Sequence, residues 1–145
     1  MITFQSSREI PAAPKAVFAA IKDPSRLARW WGPDGFTNTF HTFEFIPGGR
    51  WDFVMHGPDG TDFPNQATFV AIVHGSLVRI QHTSQPHFDL SIILEPSPRG
   101  TLVSWVQTFE NEEIATKLRP IVEPANEQNL TRLALDVGRS GQDGA

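Results

Sequence analysis

The sequence predicts an α+β domain in which a curved antiparallel sheet of about seven strands wraps around a long C-terminal helix, with two short helices after the first strand. Three observations carry this expectation. From Phe36 to Phe109, turn signals recur at strand-like spacing: Pro47-Gly48-Gly49, Pro58-Asp59-Gly60, His74-Gly75, Gln85-Pro86 and Pro98-Arg99-Gly100. The apolar runs between them read as a meander of hairpins rather than an alternation of strand and helix. Near the C-terminus, Val122, Asn126, Leu130, Leu133 and Val137 recur at steps of three and four, which places them on one helical face. Before the meander, Pro14 and Pro24 each sit where a proline opens a helix without losing a bond.

Taken in order, Thr3 to Ile10 is an opening strand, polar enough to lie near an edge, and Pro11 ends it. The helix opened by Pro14 buries Val17, Phe18 and Ile21. Asp23 is a good N-cap for a second short helix running from Pro24 to about Trp30. Trp30 and Trp31 are expected to split, one capping the core and the other at a rim, because adjacent side chains leave one helix end in different directions.

Side-chain parity then selects an inner face. It comprises Phe43 and Phe45; Trp51, Phe53 and Met55; Val78, Ile80 and His82; Phe88, Leu90, Ile92 and Leu94; and Val103, Trp105, Gln107 and Phe109. Phe36 and Phe40 have the wrong parity to join Phe43, which predicts a bulge between them. Ala67 to Val73 is apolar on both faces, and parity leaves its inward side open. Asn111 to Arg119 reads as a further short helix stopped by Pro120, with the long helix running from Val122 to Val137 and Pro124 in its first turn. The far side of that helix (Glu127, Gln128, Thr131, Arg132 and Asp136) reads as solvated. Residues 138–145 lack apolar periodicity and are expected to fray. No repeat or linker divides the chain, so residues 1–145 are read as one domain.

Composition narrows the function classes. A chain of 145 residues with 39% hydrophobic and 19% charged residues can bury one sizeable core. With Phe 11, Trp 4 and Tyr 0, its aromatic area comes almost without hydroxyls, so a core or pocket built from it should be largely dry. The formal net charge is -4 and the basic residues are scattered, which argues against nucleic acid and anionic membrane surfaces as partners. The absence of cysteine removes disulfides, thiolate zinc sites and a cysteine nucleophile. Met1-Ile2-Thr3-Phe4-Gln5 has no signal-peptide character and no apolar stretch is long enough to span a bilayer, so a cytoplasmic location is expected.

The bulky inner face exceeds what one helix can fill. Where that helix presents Ala125 and Asn126 beside the Trp31 loop, a cavity is therefore expected. Its candidate walls are Trp31, Phe43, Phe45, Trp51, Phe53, Met55, Phe88, Leu90, Trp105 and Leu130, with His82, Gln107 and Asn126 as polar groups that could orient a ligand. Each polar candidate also has a structural reading. His82 could be an acid, base or anchor, or a ring satisfied by a backbone carbonyl at a strand end. Gln107 and Asn126 could meet a ligand's carbonyl or hydroxyl, or bond internally. His41 is a weaker third candidate because it shares parity with Phe43. The histidines at 41, 56, 74, 82 and 87 show no paired metal-ligand spacing, and Glu110, Glu112 and Glu113 suit a helix start without any catalytic role. There is no nucleophile elbow, phosphate loop or dinucleotide fingerprint, so neither a metal nor a cofactor is expected.

Local motifs add a resemblance. Ile10-Pro11-Ala12-Ala13-Pro14-Lys15-Ala16-Val17-Phe18, then Asp23-Pro24 and Trp30-Trp31-Gly32-Pro33, resemble the opening of the bacterial family named activator of heat-shock-protein-90 ATPase, homologue 1-like. Pro47-Gly48-Gly49-Arg50-Trp51, Gly57-Pro58-Asp59-Gly60 and Asn129-Leu130-Thr131-Arg132-Leu133-Ala134 resemble its later signatures, so the likeness covers residues 3–137. The element order is also similar to the helix-grip fold shared by START lipid-transfer domains and the birch-pollen-allergen (SRPBCC) superfamily. The resemblance implies a scaffold with a hydrophobic cavity for small apolar or amphipathic ligands. The eukaryotic activator's basic segment for its chaperone partner has no counterpart in this acidic chain, and Ile46 stands where many members carry an arginine.

Three functions follow as expectations: a binder of a small hydrophobic molecule, a cyclase, dehydratase or hydrolase using His82 as general base, or a co-chaperone-like protein-binding module. A homodimer through an exposed Trp30 is compatible with all three.

Overall fold

The first strand, β1 (Ile2–Ile10), ends at Pro11, which has no amide to extend a ladder. Pro14 then starts α1 (Pro14–Lys22). Asp23 caps α2 (Pro24–Trp30), its carboxylate accepting from the backbone amides of Ser25 at 2.9 Å and Arg26 at 3.4 Å. The chain continues as β2 (Thr37–Phe43), β3 (Arg50–His56), β4 (Asp62–Val73), β5 (Leu77–His82), β6 (Phe88–Ser97), β7 (Gly100–Phe109) and α3 (Glu112–Asp143). The computed structural model that shows these elements describes residues 1–143, with side chains through Arg139.

All seven strands form one antiparallel sheet in the order β1-β7-β6-β5-β4-β3-β2, as the hairpin spacing predicts. Burial alternates strictly along β7, where Val103, Trp105, Gln107 and Phe109 face α3 and the helical layer. The expected bulge falls between Phe40 and Thr42. It brings Phe40 and Phe43 to one side with their rings stacked at 5.6 Å, and it leaves His41 exposed, which removes His41 as a site candidate. A second slip, between Phe69 and Ala71, decides the strand that parity left open. Ala67 and Phe69 are buried before it, Ile72 packs against the core after it, and Val70 and Val73 stay exposed.

Three expectations require correction. The helix does not stop at Pro120 and restart at Val122, because α3 runs without a break through Pro120 and Pro124. The two prolines lie four residues apart on an exposed stripe, so the carbonyls they leave unpaired, those of Thr116 and Pro120, can be hydrated. Tertiary packing carries the helix across this stretch: Ala115, Leu118 and Val122 seat on Phe4 and Phe109.

The two indoles do not split. Trp30 is 1% exposed and Trp31 8%. The helix ends at Trp30 and Trp31 is extended (φ -66, ψ 135), so consecutive side chains leave different backbone geometries and both reach the core. Trp30 donates its indole N–H to the carbonyl of Ala20 at 2.9 Å and cannot serve as an exposed dimer contact.

Finally, Asp136 is not solvated. It is 4% exposed and accepts from Nε of Arg26 at 3.0 Å and Nε of Arg29 at 3.2 Å, because α2 covers that side of α3. Apolar periodicity cannot register a face buried by charge. The predicted frayed tail, 138–145, falls largely outside the described side chains; helical backbone continues to Asp143, and residues 144–145 lie outside the described residues.

Replacing Asp136 by alanine leaves the largely buried Arg26 guanidinium without its carboxylate. The variant is expected to lose about 2–3 kcal/mol of stability, read as a shifted urea midpoint at unchanged slope.

Candidate functional site

The interior holds two packed clusters with a space between them. The larger joins α1 and α2 to the middle of the sheet. Here Trp51 stacks on Phe53 (4.2 Å) and on Phe69 (5.7 Å), with Trp31 edge-on at 4.9 Å. The smaller, Phe4, Phe109 and Ala115, sits under the start of α3. Between them α3 presents the small side chains of Ala125, Asn126 and Asn129, of which Asn126 reaches Trp105 and Gln107 of β7, and a cavity of about 420 Å3 remains beside them.

Cross-strand rungs build its walls. Met55 pairs with Phe63, Phe53 with Asn65, His82 with Phe88 and Leu90 with Gln107, all at the same end of the sheet. Trp105 lies beneath; Ile121, Val122, Ala125, Asn126 and Asn129 of α3 close one side, and the loop Trp31, Gly32, Pro33 and Phe36 closes the mouth with Pro86.

Of the residues selected from sequence, Trp31, Phe53, Met55, His82, Phe88, Leu90, Trp105, Gln107 and Asn126 line this space. Phe43, Phe45, Trp51 and Leu130 do not line it. Phe45 packs edge-on against Phe18 of α1 and Phe69, and Leu130 is fully buried in the larger cluster. Parity points a side chain inward but not to a level along the strand, and these belong to the filled level. Sequence reading missed Phe63, Asn65, Pro86 and Asn129. Asn129 was within reach, three residues after Asn126 on the helix; Phe63 and Asn65 emerge only from the β3–β4 register.

The polar groups are arranged in a definite direction. The indole N–H of Trp105 can only donate, and Oδ1 of Asn126 accepts it at 3.2 Å. That orients Asn126 so that its Nδ2 donates to Oε1 of Gln107 at 3.0 Å. Gln107, only 7% exposed, is left with its amide nitrogen at the cavity.

His82 takes its structural role. Nδ1 lies 2.7 Å from the carbonyl of Pro86, which can only accept, so Nδ1 carries the proton, and the ring stacks on Phe88 at 4.6 Å. Nε2 lies 2.7 Å from Oδ1 of Asn65, whose own Nδ2 donates to the carbonyl of Phe63. Two acceptors suit an imidazolium, whereas burial holds the pKa of His82 below its ordinary value. Burial is the larger effect. The neutral ring therefore gives up the Asn65 bond or turns that amide at the expense of Phe63. With both nitrogens turned to the protein, His82 is poorly placed as a general base.

The mouth loop is fastened to α3. Arg132 donates through Nη1 to the carbonyls of Trp31 (3.2 Å), Gly32 (2.9 Å) and Pro33 (2.9 Å), and through Nη2 to those of Arg29 (2.6 Å) and Phe36 (3.1 Å). Burial lowers its pKa, and the nearby Asp34 opposes that effect. Asn129 accepts from the amide of Gly32 at 2.8 Å and Gln128 from that of Asp34 at 3.0 Å. Gly32 has φ +97, a left-handed backbone that side chains rarely adopt, and this conformation rather than its contact with the movable Met55 methyl favours glycine here. Gln128 and Arg132, which read as solvated, thus hold the loop.

Among the described residues, no three His, Cys, Asp or Glu side chains form a group that could hold a metal ion, and no helix is long and apolar enough to cross a membrane. The chain matches the model of the family described as Activator of Hsp90 ATPase homolog 1-like protein over residues 11–135. Its fold is similar to the crystal structure of a protein from Nitrosomonas europaea, with a TM-score of 0.89 at 17% identity over 97% of each chain. The solution structure of a protein from Arthrobacter aurescens is similar at a TM-score of 0.87 and 27% identity, over 94% of this chain and 86% of that one. An AHSA1-like protein from Aeromonas hydrophila gives 0.79 at 19% identity, over 97% and 94%. None of the curated proteins matches this sequence.

Two outcomes test the site's architecture. Arg132→Ala should lower stability by about 2–3 kcal/mol, and hydrogen exchange should show the Gly32 and Asp34 amides losing protection together. Because the folded His82 binds its proton less readily than the unfolded ring, whose ordinary pKa is 6.5, stability should fall as pH drops below that value. The fall ends once the folded ring is protonated as well, and His82→Gln should flatten this part of the profile in urea titrations at successive pH values.

Proposed function

We propose, for a chain that belongs to the activator of Hsp90 ATPase homolog 1-like family, that its task is to bind a small hydrophobic or amphipathic molecule in the cavity between sheet and α3, in the cytoplasm. The observation that carries this reading is the cavity itself. About 420 Å3 is left beside aromatic and aliphatic walls, within the usual range for a ligand site and much larger than ordinary packing defects. The fold family is known for ligand binding, and the lining fits that use: Phe53, Met55, Phe88, Leu90 and Trp105 supply apolar surface.

Binding without chemistry is favoured over the enzymatic reading. A general base must present a lone pair to substrate; with Nδ1 donating to Pro86 only Nε2 of His82 offers one, and Asn65 lies against it at 2.7 Å. No second acid or base lines the space among the described residues. The activity in the family's name is not carried over either, since a formal charge of -4 and scattered basic residues provide no basic docking segment.

Filling the cavity tests the reading. Ala125 borders it from α3, so Ala125→Phe should abolish saturable 1:1 binding of the neutral probe Nile red while the protein still melts cooperatively. An unfilled protein that shows no saturable binding, or a filled one that binds equally well, would contradict the proposal.

A further inference from the structure

We infer that the cavity selects uncharged ligands carrying a carbonyl oxygen, and that this oxygen seats on Nε2 of Gln107. The inference rests on the cavity being a binding site and adds the chemical class of what it takes.

Five amide or imidazole side chains line the space, Asn65, His82, Gln107, Asn126 and Asn129, beside the indoles of Trp31 and Trp105, the latter already donating to Asn126. The amide nitrogens of three are committed to protein oxygens, Asn65 to Phe63, Asn126 to Gln107 and Asn129 to Ala125. That of Gln107 has no acceptor among the described residues, although the side chain is 7% exposed. Its orientation is dictated from behind. Turning the Gln107 amide would set two NH2 groups against each other at Asn126, and turning Asn126 to match would set an NH2 against the donor-only indole of Trp105. The chain Trp105–Asn126–Gln107 thus ends in a donor facing an apolar chamber, and a ligand's acceptor completes it. Asn126 is a positioning residue, acting through Gln107.

Charge selects among acceptors. No Lys, Arg, Asp or Glu lines the cavity, burial favours the neutral His82 ring, and the nearby guanidinium of Arg132 is occupied by five carbonyls. A carboxylate would lie there without a counter-ion, a large desolvation penalty that a carbonyl avoids.

Three matched probes separate the possibilities: benzophenone, diphenylmethane and diphenylacetate, titrated at pH 7 and followed by Trp fluorescence. The expected order is benzophenone tighter than diphenylmethane by about tenfold, with diphenylacetate weakest. Gln107→Leu should remove the preference for the ketone, so that benzophenone and diphenylmethane bind this variant with equal affinity. On the unaltered protein, the Gln107 side-chain amide proton should move downfield in NMR with benzophenone and not with diphenylmethane, a readout that does not depend on the variant folding. Equal binding of ketone and hydrocarbon, or an unmoved Gln107 amide, would overturn the carbonyl assignment while leaving the binding site intact. Binding of none of the three would overturn both.

Discussion

Arg132 donates to five backbone carbonyls of the segment from Arg29 to Phe36, and the cavity's mouth depends on that grip. A loop with two positive-φ glycines, Gly32 and Gly35, has little conformational preference of its own. One guanidinium supplies donors in a rigid planar fork, and Asn129 and Gln128 add acceptors for the loop's amides. Trp31 is thereby held against Trp51 and Trp105, where it divides filled core from open space. The carbonyl oxygens bring no formal charge, and burial of the guanidinium lowers its pKa, with the nearby Asp34 only partly opposing that effect. The Arg26–Asp136–Arg29 cluster braces the same helix pair one turn further along.

The gap in the core follows from how the aromatic residues are apportioned. Trp51, Phe53 and Phe69 stack face to face, Phe40 and Phe43 meet Trp51 edge-on, and Trp30 from the end of α2 and Trp31 just after it join them. At that level the sheet, the short helices and Leu130 and Leu133 of α3 fill the interior. One to two helical turns away, the same helix offers Ala125 and Asn126, whose small side chains leave the sheet there incompletely covered. Because α3 is continuous through Pro120 and Pro124, its N-terminal third spans the gap and rests on Phe4 and Phe109 instead of collapsing into it.

Inside the space, hydrogen-bond direction matters more than the number of polar groups. A donor-only indole at one end of a three-residue chain orients two amides, which otherwise could face either way. His82 illustrates the opposite case. Its ring is placed between two acceptors, so its protonation and the Asn65 amide cannot be satisfied independently. Burial prevails because desolvating a cation outweighs one neutral hydrogen bond.

The sequence by itself determined the sheet, its seven strands, the inward parity of β3, β5, β6 and β7, the capped short helices and the bulge near Phe40. These depend on spacing, turn residues and proline chemistry, all local properties. It also carried the polar residues Gln107 and Asn126 and the motifs around Trp31 and Asn129. Only the tertiary structure decided the level at which each inward residue sits, and so why Gln107 and Phe88 border the cavity while Phe45 and Trp51 fill the core. It likewise decided that α3 survives two prolines, that both indoles are buried and that Arg132 and Asp136 face protein instead of water. Those outcomes depend on which element lies opposite. A periodicity that separates apolar from polar faces cannot distinguish a charge in solvent from one held by a neighbouring backbone.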